Sequence, residues 1–422
     1  MWCRASGAQA GDGTPAPPST LRPPGGSYRP PAVSIGVKSL ALLAAGALLL
    51  AGCSIGDQPS SPPHVGAKAT DKNAASELGF PALATRNTVR VGGGDAAADT
   101  AGVANAAFPG VDASTRPKVV ALVDRGDWQG AVAASVLAAA PIGAPLLLSD
   151  GDSLPAVTKD TLARLRPAGA PLAAGAQVIR IGSEVAKPGG MRTGVIAGKD
   201  PYERAAVIDR FFTAARGRPS PHVVVASGEK AAYAMPAAAW AARSGDPVLL
   251  AKRSSLPAAT RRAIAQHSRP AIYVLGPPSV IGPRVVRQLG SLGKVVRVSG
   301  ADPVSNAVAF TRFQRGGFGW GITVPGYNFT VASTSRPQDA AGAASLATRG
   351  VFAPLLLTDS ADALPRPLQD FFLSVEPGYR GQPSQAVYNR IWILGDDKTV
   401  SVGVQARLDQ LAELIPVRAS AP

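Results

Sequence analysis

The side chains able to carry chemistry are few and recur in one setting. Asp95, Asp200 and Asp302 each close an apolar run in a Gly-x-Asp signature: Val89-Arg-Val-Gly-Gly-Gly-Asp95, Val195-Ile-Ala-Gly-Lys-Asp200 and Val296-Arg-Val-Ser-Gly-Ala-Asp302. General acid–base work would require a second carboxylate or a histidine at fixed spacing, and none recurs in all three settings. A carboxylate between a strand end and a helix start more simply accepts hydrogen bonds from the free N–H groups of the first helical turn. These aspartates are therefore read as helix caps. Only three histidines (His64, His222, His267) and two cysteines (Cys3, Cys53) occur, too few and too scattered for a metal cluster or a disulfide framework. His222 starts an apolar run and is expected to be partly buried, whereas His267 among arginines is expected at the surface. Gly92-Gly-Gly94 lacks the rest of a dinucleotide fingerprint and reads as a tight turn. No phosphate-binding loop, nucleophile elbow or His-Glu-x-x-His is present. No catalytic residue, metal ligand or cofactor is assigned.

The elements that position these residues come in repeats. Ala144-Pro-Leu-Leu-Leu, Asp246-Pro-Val-Leu-Leu and Ala353-Pro-Leu-Leu-Leu carry Pro145, Pro247 and Pro354, and each is followed by a second Leu-Pro (Leu154-Pro155, Leu256-Pro257, Leu364-Pro365). Downstream stands a strand-like run ending in Gly182, Gly276 or Gly395. The three signals keep their order and return roughly every 100 residues. The repeats are placed at 87–193, 194–294 and 295–417. Each reads strand, helix, strand, helix, strand, helix, strand. In the second, strands are expected near 194–197, 222–226, 247–250 and 271–275, and helices near 201–216, 230–243 and 257–268. Continuous apolar runs such as Val223-Val-Val-Ala and the leucines 146–148 and 355–357 suit strands covered on both faces. Alternating strands and helices imply α/β modules with parallel sheets.

Ahead of the repeats, residues 1–52 form a leader. Lys38 precedes an unbroken apolar run, Leu40 to Leu50, too short to span a bilayer but suited to an export signal. It ends in Leu50-Ala-Gly-Cys53, which resembles the lipobox of bacterial lipoproteins and marks Cys53 for lipidation. The unpatterned residues before it suggest a later start, at Val33 or Val37. Residues 53–86, with Ser60-Ser-Pro-Pro63, are expected to be an unstructured tether with a root-mean-square span of about 30 Å.

Within repeat 2, Gly198-Lys-Asp200-Pro-Tyr202-Glu203, Ala226-Ser-Gly228-Glu229, Pro247-Val-Leu-Leu250 and Ser255-Leu-Pro-Ala-Ala-Thr260 resemble the cell wall-binding repeat 2 family. The resemblance covers about 87–417. It implies three Rossmann-like or Toprim-like modules in a pseudo-threefold arrangement, attached non-covalently to anionic wall polymer. The chain departs from the family pattern: its usual Arg after the Asp is Ala96, Pro201 and Pro303, and its usual Asp in the Ala-rich helix survives only as Asp339, replaced by Gly130 and Tyr233. If those residues join the modules, the joints here differ.

Of 422 residues 46% are hydrophobic and 17% charged, which excludes a disordered charged chain. Lys and Arg number 43 against 28 Asp and Glu, a formal net charge of +15. Repeat 2 holds 15 bases and 5 acids, repeat 1 holds 10 and 9, and residues 295–422 hold 11 and 10. Such lopsidedness attracts polyanions, and arginine forks suit phosphate oxygens. Lys252, Arg253, Arg261, Arg262, Arg269, Arg204 and Lys230 are the candidate polymer contacts. The expected partners are a teichoic-type or acidic polysaccharide and, through the lipid, the outer face of the membrane. Nucleic acid is not expected, since no aromatic-and-basic platform is evident. Alternatives are a solute-binding lipoprotein of a transport system or an activator of a wall hydrolase. Intact mass of the exported protein is expected to show a chain beginning at a diacylglyceryl-modified Cys53; an unmodified chain retaining residues before 53 would reject the anchor.

Overall fold

The computed structural model describes residues 81–91, 93–348 and 351–417; the leader, Cys53 and most of the expected tether lie outside the described residues. In chain order, β1 (Pro81–Ala84) and β2 (Thr88–Val91) lead to α1 (Ala96–Ala107), β3 (Val120–Asp124), α2 (Trp128–Ala134), β4 (Leu146–Ser149), α3 (Ala156–Leu165) and β5 (Val178–Ile181). Repeat 2 supplies β6 (Thr193–Ile196), α4 (Pro201–Arg216), β7 (His222–Ser227), α5 (Ala231–Ser244), β8 (Val248–Ala251), α6 (Ala258–Ala265), β9 (Ala271–Leu275) and α7 (Pro283–Gly290). Repeat 3 supplies β10 (Lys294–Val298), α8 (Pro303–Arg312), β11 (Asn328–Ser333), α9 (Asp339–Leu346), β12 (Leu355–Thr358), α10 (Arg366–Ser374), β13 (Gly378–Tyr379), β14 (Arg390–Leu394), α11 (Val402–Leu411) and β15 (Ile415–Pro416). The short helices α7 and α11 follow the last strand of their repeats and go beyond the seven-element reading. In α7 only Val285 and Leu289 are buried, too weak an apolar pattern to stand out between Pro283 and Gly290.

The sheets do not coincide with the sequence repeats. The strand orders are β4-β3-β5-β6, β10-β9-β7-β8 and β1-β2-β14-β11-β12. The first strand of each repeat thus completes the sheet of another: β6 pairs with β5, β10 with β9, and β2 with β14, all in parallel. The last pairing joins the first repeat to the third and closes the set. The boundaries drawn at 194 and 295 fall inside β6 and β10, because the sequence shows where a motif recurs but not which sheet its first strand enters. Residues 81–86 also leave the tether. β1 pairs antiparallel with β2, and Arg86 meets Glu413 at 3.1 Å.

Arginines fasten two of the exchanged strands. Buried Arg90 of β2 donates to the carbonyls of Gly395 (3.0 Å), Asp396 (2.7 Å) and Val400 (2.6 Å) and to Gln405 Oε1 (2.9 Å). Arg297 of β10 does the same to the carbonyls of Gly276 and Ile281. On β6 the equivalent position is Val195, and its register partner Arg180 on β5 supplies the fork instead, to the carbonyl of Val185 at 2.8 Å.

Between the sheets, the middle helices α2, α5 and α9 pack on one another, and α1 packs on α9, α4 on α2 and α8 on α5. This cyclic pattern makes the arrangement pseudo-threefold. Small side chains allow the approach: Ala237, Ala238, Ala241, Ala340, Ala341 and Ala344 are fully buried in one continuous core. Pro145, Pro247 and Pro354 stand one residue before the edge strands β4, β8 and β12, where a missing N–H costs the ladder nothing; their carbonyls accept from Ala121, Val224 and Thr330 at 2.9–3.0 Å.

Replacing Arg90 by Met leaves several carbonyls without a donor, and truncating such a buried network costs about 3 kcal/mol. Urea unfolding of Arg90→Met is expected to show that loss, with exposed Arg366→Met as a near-neutral control.

Candidate functional site

The Gly-x-Asp signature builds the turn between each exchanged strand and its helix. Asp95, Asp200 and Asp302 are the N-caps of α1, α4 and α8, accepting from Ala98, Glu203 and Ser305 N–H at 2.8–2.9 Å. The glycine two residues earlier is required by close approach. A Cβ on Gly93, Gly198 or Gly300 would lie 2.1–2.4 Å from Ala98, Arg204 or Asn306.

In α4 and α1 the residue one turn into the helix meets the neighbouring repeat. At α4 it is Arg204, paired with Asp127 of repeat 1 at 2.9 Å, each side chain about 15% exposed. Arg204 is therefore a joint between repeats and not part of a free cationic surface, which corrects its place among the polymer contacts. At α1 it is buried Asp99, which accepts from Gly93 N–H at 2.7 Å and from the guanidinium of Arg336. Arg336 also reaches Asp339 at 3.4 Å. Burial, then the nearby Asp339 carboxylate, holds Asp99 well above the ordinary carboxylate range, and burial raises Asp339 as well. The third joint is lighter: the Tyr233 hydroxyl donates to the carbonyl of Ala301 at 3.1 Å. The positions where the chain departs from the family pattern thus lie at or beside these joints, which are of three different kinds.

Lys252 and Arg253 leave the end of β8. The Arg253 N–H donates to Glu229 at 2.8 Å, its carbonyl accepts from Gly282 N–H at 2.8 Å, and the Lys252 ammonium lies 5.6 Å from the Tyr202 ring centre. Lys230 precedes α5 at the same end of the sheet, its N–H donating to Ser227 Oγ at 2.9 Å. Arg261 and Arg262 are exposed on α6, and exposed Arg269 follows that helix toward the opposite end of the sheet with φ 62°. The structure therefore divides the candidates into a group at the strand C-termini and a group along and beyond α6.

The five carboxylates of repeat 2 are each engaged by hydrogen bonds, two of them buried and three wholly or partly exposed. Asp200 caps α4, and Glu203 accepts from Lys199 N–H at 3.1 Å. Glu229 holds the Arg253 backbone. Asp209 is buried against His267 Nε2 at 2.9 Å, and Asp246 is buried against Ser220 and Trp240 Nε1. Burial pushes Asp246 up, but hydrogen bonds from His222, Ser220 and Trp240 outweigh it and hold the carboxyl below its ordinary range. Among the described residues, no Lys or Arg of repeat 2 other than Arg204 forms an ion pair with a carboxylate.

His267 is buried rather than at the surface, because its ring bridges Asp209 and the carbonyl of Ser220 (3.0 Å) behind α6. Sequence reasoning also missed the segment 313–327 between α8 and β11. Phe318 stacks on Tyr273 of repeat 2 at 3.5 Å, and Trp240 meets Phe318 at 4.9 Å and Trp320 at 5.5 Å. Its signal was present as alternating glycine and aromatic residues, Gly317-Phe-Gly-Trp-Gly321, found in repeat 3 alone.

Residues 195–286 match the family model of cell wall binding domain 2 (CWB2). Among solved structures, the chain is similar to Cwp6 from Clostridium difficile (TM-score 0.63, 19% identity, 78% of this chain and 48% of that one). It is also similar to Cwp8 from Clostridium difficile (TM-score 0.60, 19% identity, 78% of this chain and 52% of that one). It spans about half the length of each, and at this identity the likeness is one of fold. No curated protein matches the chain.

Burial lowers the pKa of His267, but the hydrogen bond and charge of Asp209 outweigh it and the net shift is upward. A raised pKa adds stability that is complete below the unfolded value of about 6.5 and fades as pH rises through the folded value. His267→Gln, which leaves Asp209 buried without a cationic partner, is expected to cost about 3 kcal/mol in acid. Thermal melts across the histidine range should show wild type and variant converging as pH rises; a constant gap would refute the charged pair.

Proposed function

We propose that this protein is a non-catalytic envelope protein that holds anionic wall polymer through its repeats, chiefly the second. The match of residues 195–286 to cell wall binding domain 2 supports a wall-associated role. The observation that carries the polyanion reading is that Lys230, Lys252, Arg253, Arg261, Arg262 and Arg269 stay exposed, while Asp209 and Asp246 are buried among their own partners. Fifteen bases against five acids, two of those acids buried, give a field that draws in a polymer carrying phosphate or carboxylate groups. Arginine forks then hold those oxygens by charge-assisted hydrogen bonds. Many weak contacts along one chain give retention that no single contact supplies. In this reading Cys53 carries the lipid, the protein sits on the outer face of the membrane, and the stretch after Cys53 lets the repeats reach the wall.

Exposed contacts of this kind are screened by salt, with a Debye length of about 8 Å at physiological ionic strength. Sedimentation with purified walls is expected to fall at least about tenfold between low and high salt, and to fall similarly for an Arg253→Glu/Arg261→Glu/Arg262→Glu variant at low salt. Undiminished binding by that variant would remove the electrostatic basis of the proposal.

A further inference from the structure

Between repeats 2 and 3 lies a cavity of about 740 Å³. Its walls bring together features that neither repeat has alone. Repeat 2 contributes Arg216 and Arg243 from the last turns of α4 and α5, and His222 from the start of β7. Repeat 3 contributes Trp320 and Tyr327 from the segment 313–327, and Phe352. Tyr327 is 39% exposed and Phe352 44%. Phe352 stands at φ 53°, in the left-handed region that bulky side chains avoid, with the Arg243 guanidinium 4.5 Å from its ring centre.

Cations in a final helical turn complement the helix dipole, and that accounts for each arginine singly. It does not account for exposed aromatic rings facing the same space. Among the described residues neither Arg216 nor Arg243 pairs with a carboxylate. The acid on the wall, Asp246, is already held by Ser220 and Trp240. In repeat 1 the helices corresponding to α4 and α5 have no base in their last turns. The connection that supplies Trp320 and Tyr327 spans residues 313–327, against only 217–221 between α4 and β7. Two helix-end arginines thus meet an aromatic connection at the 2–3 junction, a combination that repeat 1 lacks.

We propose that this cavity binds an anionic saccharide unit, a pyranose ring bearing a phosphate or a carboxylate. Aromatic faces are electron-rich and take the C–H-lined face of a sugar ring, and the hydroxyl and indole N–H edges remain free to meet its polar rim. The guanidinium forks of Arg216 and Arg243 take the anionic substituent. The volume suits one or two sugar units. The inference rests on the polymer-binding reading, for which it names the unit recognised, but its site is separate from the basic surface around Arg253 and α6.

Saturation-transfer NMR titration of the full chain tests it with glucose 1-phosphate, N-acetylglucosamine 1-phosphate, glucuronic acid, glucose and inorganic phosphate. At least one anionic sugar is expected to bind at least about tenfold more tightly than glucose or phosphate alone, and which of them binds identifies the anion. Tyr327→Ala and Arg243→Gln, both at exposed side chains, should each weaken that binding at least about fivefold without lowering the melting temperature, and Tyr327→Phe should retain it. The Arg253→Glu/Arg261→Glu/Arg262→Glu variant should bind the small probe as wild type does. Failure of the wild-type chain to sediment with walls while it still binds the small probe would count against the polymer-binding reading and not against the cavity. Absence of saturable binding by every anionic sugar, equal binding of inorganic phosphate, or full binding by Tyr327→Ala and Arg243→Gln would overturn the cavity assignment.

Discussion

The parallel pairing of each repeat's first strand with a sheet built by another repeat is the constraint on which the rest depends. β6 on β5, β10 on β9 and β2 on β14 leave every sheet short of a strand unless a second repeat supplies it. A lone repeat would expose both an unpaired strand and an unpaired edge, each a costly arrangement of free backbone groups. Three repeats with cyclic exchange satisfy all of them. The helix that follows each exchanged strand is carried across with it and packs against the middle helix of the repeat that receives it. The glycine and aspartate of the signature serve this crossing, one by allowing close approach and the other by capping the transferred helix.

The exchange in turn explains why the joints can vary. Backbone pairing does not depend on side-chain identity, so the register holds whether the position one turn into the helix is Arg204, Asp99 or Asn306. What varies is the reinforcement. An ion pair joins repeats 1 and 2, a buried cluster of two carboxylates around Arg336 joins 3 and 1, and the hydroxyl bonds of Tyr233 and Tyr273 to carbonyls of repeat 3 support the contact of 2 and 3. That lightest polar joint coincides with the largest aromatic contact, because the segment carrying Phe318 and Trp320 covers the opposite end of the same interface. Packing thus takes over where polar contacts thin out.

Charge follows a similar division of labour. Asp209 and Asp246 sit inside repeat 2, where His267, Ser220 and Trp240 satisfy them, while most of its arginines stand on helix faces and helix ends in water. A buried carboxylate with good partners projects little field outward, so the surface is more cationic than the count of charges suggests. The cavity at the 2–3 junction borders the same repeat but at the strand entry side, away from Lys252 and Arg253.

Much of the fold was legible in the chain because local signals coincide there: apolar runs of strand length, proline one residue before each edge strand, and capping aspartates each point to the same elements, and repetition three times over reinforces them. The strands and helices expected in repeat 2 lie within a few residues of those observed, and the charge surplus required only counting. The sequence by itself therefore determined the α/β repeats, their capped turns and the basic second unit. Only tertiary structure decided which sheet each first strand enters, since β-pairing between distant segments leaves no local mark. It alone withdrew Arg204 from the surface by setting Asp127 beside it, buried His267 against Asp209, and brought Trp320 and Tyr327 opposite Arg216 and Arg243. These outcomes depend on residues far apart in the chain, and their partners are fixed by packing rather than by spacing.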